Sequence, residues 1–147
     1  MQLVDRFLRD GWRVFAAARR PGAIVRDGVI GVQLDLESSD STATTAETII
    51  WQLGSQGLDA LINCAGVLVD GPVELIPDDE LRRAFEVNVI GPMSLTRRLL
   101  RSLLAAHGRI VNIGAISAQT TPPFFGAAGA TKSALASFND ALGHGVR

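Results

Sequence analysis

The chain carries a single lysine, Lys132, against thirteen arginines, and no tyrosine at all. Lys132 lies in "FFGAAGATKSALASF", residues 124–138, where small residues lead into a helical stretch. A lysine held among apolar neighbours shifts its pKa readily and can serve as base, acid or anion anchor. Asn63, Asn88 and Asn112 are further polar candidates, Arg19 is a candidate anion contact, and Asp35 sits after an apolar run. Cys64 follows an apolar stretch and reads as a small buried hydrophobe, with no nearby histidine to make it a nucleophile. No Cys, His or Asp grouping has metal-ligand spacing, so no metal is expected.

The composition narrows the function classes. At 147 residues the chain fits one domain, residues 1–147. A formal net charge of -1 argues against nucleic acid as a partner. No apolar run reaches the ~18 residues that would span a bilayer. The opening "MQLVDRFLRD" is charged and amphipathic, unlike a signal peptide. With one cysteine and no possible intrachain disulfide, a cytoplasmic location is expected.

The elements that must position these residues follow from pattern. Helical spacing is seen over residues 2–10, closed by Gly11. Apolar runs at 12–19, 29–36, 58–66 and 108–117 read as strands. Asp40 or Ser41 is placed to cap a helix ending at Leu53. Residues 78–88, opened by acids, and 93–106 read as two helices divided at Gly91-Pro92. Pro122-Pro123 forces a loop, and a last helix spans 129–142. Strands alternating with helices imply an α/β fold with a mainly parallel sheet. Ligands in such sheets sit at the carboxyl ends of the strands. Arg19, Asp35, the run Asn63-Cys64-Ala65-Gly66 and Gly114-Ala115 all fall there.

Four segments in collinear order resemble the short-chain dehydrogenase/reductase family: "NCAG" (63–66), "NVIG" (88–91), "GRIVNIGAIS" (108–117) and "GATKSALASF" (129–138). The resemblance implies a Rossmann-like three-layer sandwich. In that family a tyrosine exchanges the proton, a lysine lowers its pKa and holds the nicotinamide ribose, a serine orients the carbonyl and an asparagine anchors a water. By position the asparagine is Asn88 and the lysine is Lys132. The serine position holds Ala115 and the tyrosine position Ala128. Ser117 and Thr131 are the nearest hydroxyls, and Thr131 is expected to point away from Lys132. Arg19, Asp35, Asn63, Ala65 and Gly66 occupy cofactor-contact positions, read as vestigial. The family's first strand, its glycine-rich phosphate loop and its last strands have no counterpart here.

Three functions follow as expectations. In the first, redox chemistry is lost and the cleft binds a small molecule or performs isomerisation, dehydration or cyclisation without a cofactor, the ancestral one being NADP. In the second, the chain is a fragment or inactivated variant of an NADP(H)-dependent oxidoreductase. In the third, it is a non-catalytic partner of a complete relative. A homodimer is expected through residues 78–88 and 93–106, with Val87, Met93, Leu95, Leu99, Leu100 and Leu103 supplying apolar surface. The missing strand is expected between residues 12–19 and 58–64.

Overall fold

The structure, a computed structural model, describes residues 2–20, 22, 24 and 26–145, with side chains described to residue 143. Helix α1 (Gln2–Arg9) ends at Gly11, whose φ of 81° suits a residue without a β-carbon. The Gly11 and Trp12 N–H groups return to the Leu8 and Phe7 carbonyls, both at 3.0 Å. Strand β1 (Val14–Ala18) pairs in parallel with β2 (Val29–Gln33), Val14 opposite Val29 and Ala18 opposite Gln33.

Helix α2 (Ser39–Leu53) begins one residue before Asp40, the earlier of the two caps that the sequence suggests. Ser38 caps it, its side chain accepting from the Ser41 N–H at 3.1 Å. The Ser41 hydroxyl is engaged elsewhere, accepting from the Asp35 N–H at 2.9 Å. Strand β3 (Ala60–Asn63) pairs in parallel with β4 (Arg109–Asn112), Ala60 opposite Arg109. The strands are shorter than the apolar runs that announce them.

Between β3 and β4 the expected break at Gly91-Pro92 does not occur. Helix α3 (Asp78–Phe85) passes through a π-helical turn, Glu86–Ile90, into α4 (Gly91–Ala105). A proline lacks an N–H and crowds the carbonyl four residues earlier. The wider π turn directly before Pro92 absorbs both, so the helix continues. Helix α5 (Gly126–Gly145) follows the Pro122-Pro123 loop and starts three residues earlier than its pattern suggests.

Helices α2 and α4 pack together and share one core with both strand pairs. Val32, Leu34, Ile49, Leu53, Leu95 and Leu99 are at its centre. The two pairs are nevertheless separate: among the described residues β1 bonds only β2 and β3 bonds only β4. The gap expected between residues 12–19 and 58–64 is open in the structure.

Four of the six residues assigned to a dimer surface belong to this core. Val87, Leu95, Leu99 and Leu103 are buried within the chain, while Met93 and Leu100 are only partly covered. Apolar residues at nearly every turn of α4 left its inward face ambiguous in the sequence; packing against α2 settles it.

Gly91 marks where the long helix crosses the segment after β2. A β-carbon there would stand 2.6 Å from the Leu36 carbonyl oxygen and 2.8 Å from Leu36 Cβ. Gly91→Ala is therefore expected to destabilise the fold by about 1–3 kcal/mol, read as a lower urea midpoint with an unchanged slope.

Candidate functional site

The polar residues at the carboxyl ends of β3 and β4 are joined by short bonds. The Asn63 carboxamide donates to Asn112 Oδ1 at 2.8 Å and to Thr96 Oγ1 at 3.2 Å. Asn112 in turn donates to Asn139 Oδ1 on α5 at 3.1 Å. This series ties two strands to α4 and α5. Asn63 is thus an internal structural contact, and its carboxamide is committed before any ligand arrives.

Asn88 lies in the π turn and is 2% exposed. Its Oδ1 accepts from the Val67 N–H at 2.8 Å, and its Nδ2 donates to the Val67 carbonyl at 2.9 Å. The same Nδ2 donates to Thr131 Oγ1 at 3.1 Å. Thr131 is fully buried and passes its own proton to the Ala128 carbonyl at 2.9 Å. The sequence offered Thr131 only as a neighbour of Lys132; its bond to Asn88 was missed. A hydroxyl one residue before a helical lysine carries no signal of what its partner is.

Lys132 is half-buried and its Nζ donates to the Ile113 carbonyl at 2.9 Å. Gly66 brings the loop after β3 against it. A β-carbon on Gly66 would be 3.2 Å from Asn88 Oδ1 and 3.8 Å from Lys132 Nζ. Asn88, Lys132 and Gly66 are therefore gathered at one point, with the exposed Ala65 beside them. Cys64 is exposed, which corrects its reading as a buried hydrophobe. It lies one residue beyond β3, where the strand's cover has ended.

Ala115 is exposed and extended, and Ala128 is buried. Neither offers a hydroxyl. Ser117 sits in a 3₁₀ turn, Ile116–Ala118, rather than on a continuing strand, and it is buried. Arg19 is exposed just past β1. Asp35 is half-buried, and its Oδ1 accepts from the Glu37 N–H at 3.0 Å, as a turn-forming aspartate does. Nearby, Arg83 bridges Glu37 at 3.2 Å and Glu80 at 3.3 Å. Glu37 leads in raising the Arg83 pKa further, so the guanidinium stays charged.

Among the described residues no group of three or more His, Cys, Asp or Glu could hold a metal ion. No described helix is long and apolar enough to cross a membrane.

The family model described as short chain dehydrogenase matches residues 1–147. The uncharacterized oxidoreductase YbbO of Escherichia coli (strain K12) is 34% identical over 138 residues, covering 91% of this chain and 51% of that protein. The NADPH-dependent 3-dehydrocapnine reductase of Ornithobacterium rhinotracheale is 36% identical over 95 residues, covering 61% of this chain and 34% of that protein. The F189W actinorhodin polyketide ketoreductase, solved with NADPH, superposes with a TM-score of 0.87 at 24% identity. That match covers 96% of this chain and 58% of the ketoreductase. The chain spans about half the length of the curated relatives it matches.

These matches overturn the expectation that no cofactor goes with the chain. A reductase sharing this sequence is NADPH-dependent by name, and a protein sharing this fold holds NADPH. The expectation weighed the phosphate loop alone.

Removing the Asn88 carboxamide strands the Val67 peptide group and the Thr131 hydroxyl in the interior. Asn88→Ala is expected to cost about 2–4 kcal/mol. Asn88→Asp should also destabilise, because it keeps the acceptor for Val67 N–H and loses both donations. Urea unfolding of the two variants checks this; an Asp variant as stable as the parent would contradict it.

Proposed function

The chain belongs to the short-chain dehydrogenase family, and from that premise we propose that it forms part of an NADP(H)-linked oxidoreductase cleft whose own proton-transfer hydroxyls are replaced by methyl groups. The observation that carries this reading is the pairing of an intact lysine–asparagine corner with Ala115 and Ala128. Lys132, Asn88 and Gly66 are drawn together, while the two positions that would move a proton have nothing to move it with.

The residues present fit such a cofactor. An ammonium group has three donors, and the Ile113 carbonyl takes one. The others suit the hydroxyls of a ribose. Gly66 leaves the loop backbone open where a β-carbon would press on Asn88 Oδ1. Arg19, exposed beyond β1, offers a guanidinium to a phosphate. A bound nicotinamide supplies the hydride. Lys132 orients and Asn88 holds the loop, but the chain's own groups at 115 and 128 cannot donate to a developing alkoxide.

NADPH is therefore expected to bind saturably, followed by its fluorescence, and Lys132→Met should weaken binding about tenfold, roughly one charge-assisted hydrogen bond. Carbonyl reduction by the parent should be very slow. The double variant Ala115→Ser, Ala128→Tyr should raise it by about 10²–10⁴, the usual worth of a general acid. Reduction by the parent at the double variant's rate, or no detectable NADPH binding, would overturn the proposal.

We also propose that the chain associates with a second copy. What supports this is a groove of about 640 Å³ whose lining includes Leu36, Ile90, Met93, Leu100, Phe138 and Leu142. Ile90 and Phe138 are 50% and 44% exposed, more than large apolar residues facing only water need be. The surface lies where α4 meets the start of α2, with α5 beside it. Light scattering over a dilution series should give a dimer, and Phe138→Asp should shift it to monomer without unfolding it.

A further inference from the structure

Two residues other than glycine have positive φ among the described residues, His107 at 51° and Phe124 at 70°. His107 has a local cause, since it follows α4 and its N–H returns to the Leu104 carbonyl at 3.1 Å. Phe124 has no such cause. It is third in the turn at residues 122–125, which the Phe125 N–H closes on the Pro122 carbonyl at 3.2 Å. Pro123 sits where proline suits such a turn, but a positive φ at the next position calls for glycine or asparagine. A bulky side chain there strains the backbone. Packing does not offset the strain, because Phe124 is 62% exposed.

What holds Phe124 comes from another loop. Its carbonyl accepts from the Gly71 N–H at 2.8 Å, the single backbone hydrogen bond between residues 64–77 and 113–125 among the described residues. Gly71 is itself at φ 140°, which glycine alone adopts freely. Nearer Asn88 along both segments, Val69, Ala84 and Ala127 form a small buried cluster. Asn88 then bonds Val67 on one segment and Thr131 on the other. The contacts form a ring that begins at Asn88, passes Val69 and Ala127, and closes at Gly71 and Phe124.

The closing contact is finely balanced. The strain of a bulky residue at positive φ and the net worth of one hydrogen bond are of the same size. A contact so balanced populates two states. With the bond made, Phe124 is strained; with it broken, Phe124 relaxes to negative φ and the loop tips part. The buried cluster confines the movement to the tips, where Val73 and Leu75 are also exposed and local opening is easiest.

We propose that Gly71 and Phe124 form a two-state latch on the corner that holds Lys132, and that the closed latch retains a ligand seated there. The retention rests on the reading of that corner as a cofactor site. A ligand between the loop after β3 and the start of α5 enters and leaves as those segments part. The latch therefore sets both rates together, and a ligand with equal affinity for the two states binds with an unchanged Kd.

The test is amide hydrogen exchange at Gly71 in three variants of the chain. Phe124→Ala removes the ring and keeps the β-carbon. Phe124→Gly also removes the strain, and Phe124→Pro fixes φ at about −65°. Relative to Phe124→Ala, Gly71 should exchange about fivefold more slowly in Phe124→Gly, the effect of relieved strain. It should exchange about fivefold or more faster in Phe124→Pro, whose carbonyl is turned away. Equal exchange in the Ala and Gly variants, or full protection in the Pro variant, would overturn the latch. If Phe124→Pro unfolds the chain, the Ala and Gly variants still decide. Stopped-flow fluorescence of NADPH reads the retention. Phe124→Gly should slow binding and release together by about fivefold relative to Phe124→Ala, with Kd unchanged. A changed Kd, or rates that do not follow Gly71 exchange, would overturn the retention. If NADPH binds none of these proteins, the cofactor reading fails and the retention with it, whereas Gly71 exchange decides the latch by itself.

Discussion

The buried carboxamide of Asn88 fixes the geometry on which the candidate site depends. It presents a donor and an acceptor to one peptide group, that of Val67, much as a neighbouring strand would. The loop after β3 is thereby held to the long helix, although no sheet continues there. A regular α-turn spaces side chains at 3.6 per turn; the π turn at Glu86–Ile90 widens that spacing and re-aims Asn88. The third bond, to Thr131, brings in α5. Three segments far apart in sequence meet at one side chain, and Lys132 follows Thr131 by one residue. The lysine's position is therefore a consequence of the asparagine's.

Close backbone approach supplies the second constraint. Gly91 lies over the Leu36 carbonyl, Gly66 against Asn88, and Gly129 against Thr121 and the Ser117 carbonyl. Ser133 then donates to the Ala118 carbonyl at 2.9 Å. The small residues that open α5 are accounted for by this contact, since α5 rests directly on the turn after β4. Gly129 is required by this close approach, whereas a β-carbon at Gly126 would meet nothing within 4 Å. The polar bonds between Asn63, Asn112 and Asn139 do the same for the strand ends, running from the half-buried strands out to the exposed Asn139.

The order of elements was legible because each has a local cause: Gly11 after the first helix, acids opening α3, two prolines before α5. The carboxyl ends of the strands were legible as well, and Gly66, Asn88 and Lys132 meet beside those of β3 and β4. What stayed hidden was direction. Val87, Leu95, Leu99 and Leu103 read as apolar surface or as core with equal ease until α2 is in place. Cys64 and Ala65 continue an apolar run in sequence yet lie outside the strand. Ser38 and Ser41 are both good caps, and the choice between them turned on the Asp35 N–H, which claims one. The cofactor expectation failed for a related reason. One missing loop outweighed several strand ends whose convergence only three dimensions display.

The contrast between Lys132 and the thirteen arginines has a steric basis in this arrangement. The ammonium group is compact, with its donors at a single point, whereas a guanidinium is a rigid planar fork. Nζ reaches the Ile113 carbonyl at 2.9 Å and would stand 3.8 Å from a β-carbon at Gly66, with Asn88 Oδ1 nearer at 3.2 Å. A guanidinium making the same bond would extend its second arm toward Gly66 and Asn88 Oδ1. That oxygen is already committed to the Val67 N–H, so the arm would find a crowded acceptor or displace the loop. A lysine keeps the corner closed on the protein side and its remaining donors turned outward. Ala115 is exposed, and the Thr131 hydroxyl donates to the backbone carbonyl of Ala128, which any residue provides. Asn88, Gly66 and Thr131 are tied to the packing and the Ala128 methyl group is buried with them, whereas the Ala115 methyl group stands exposed.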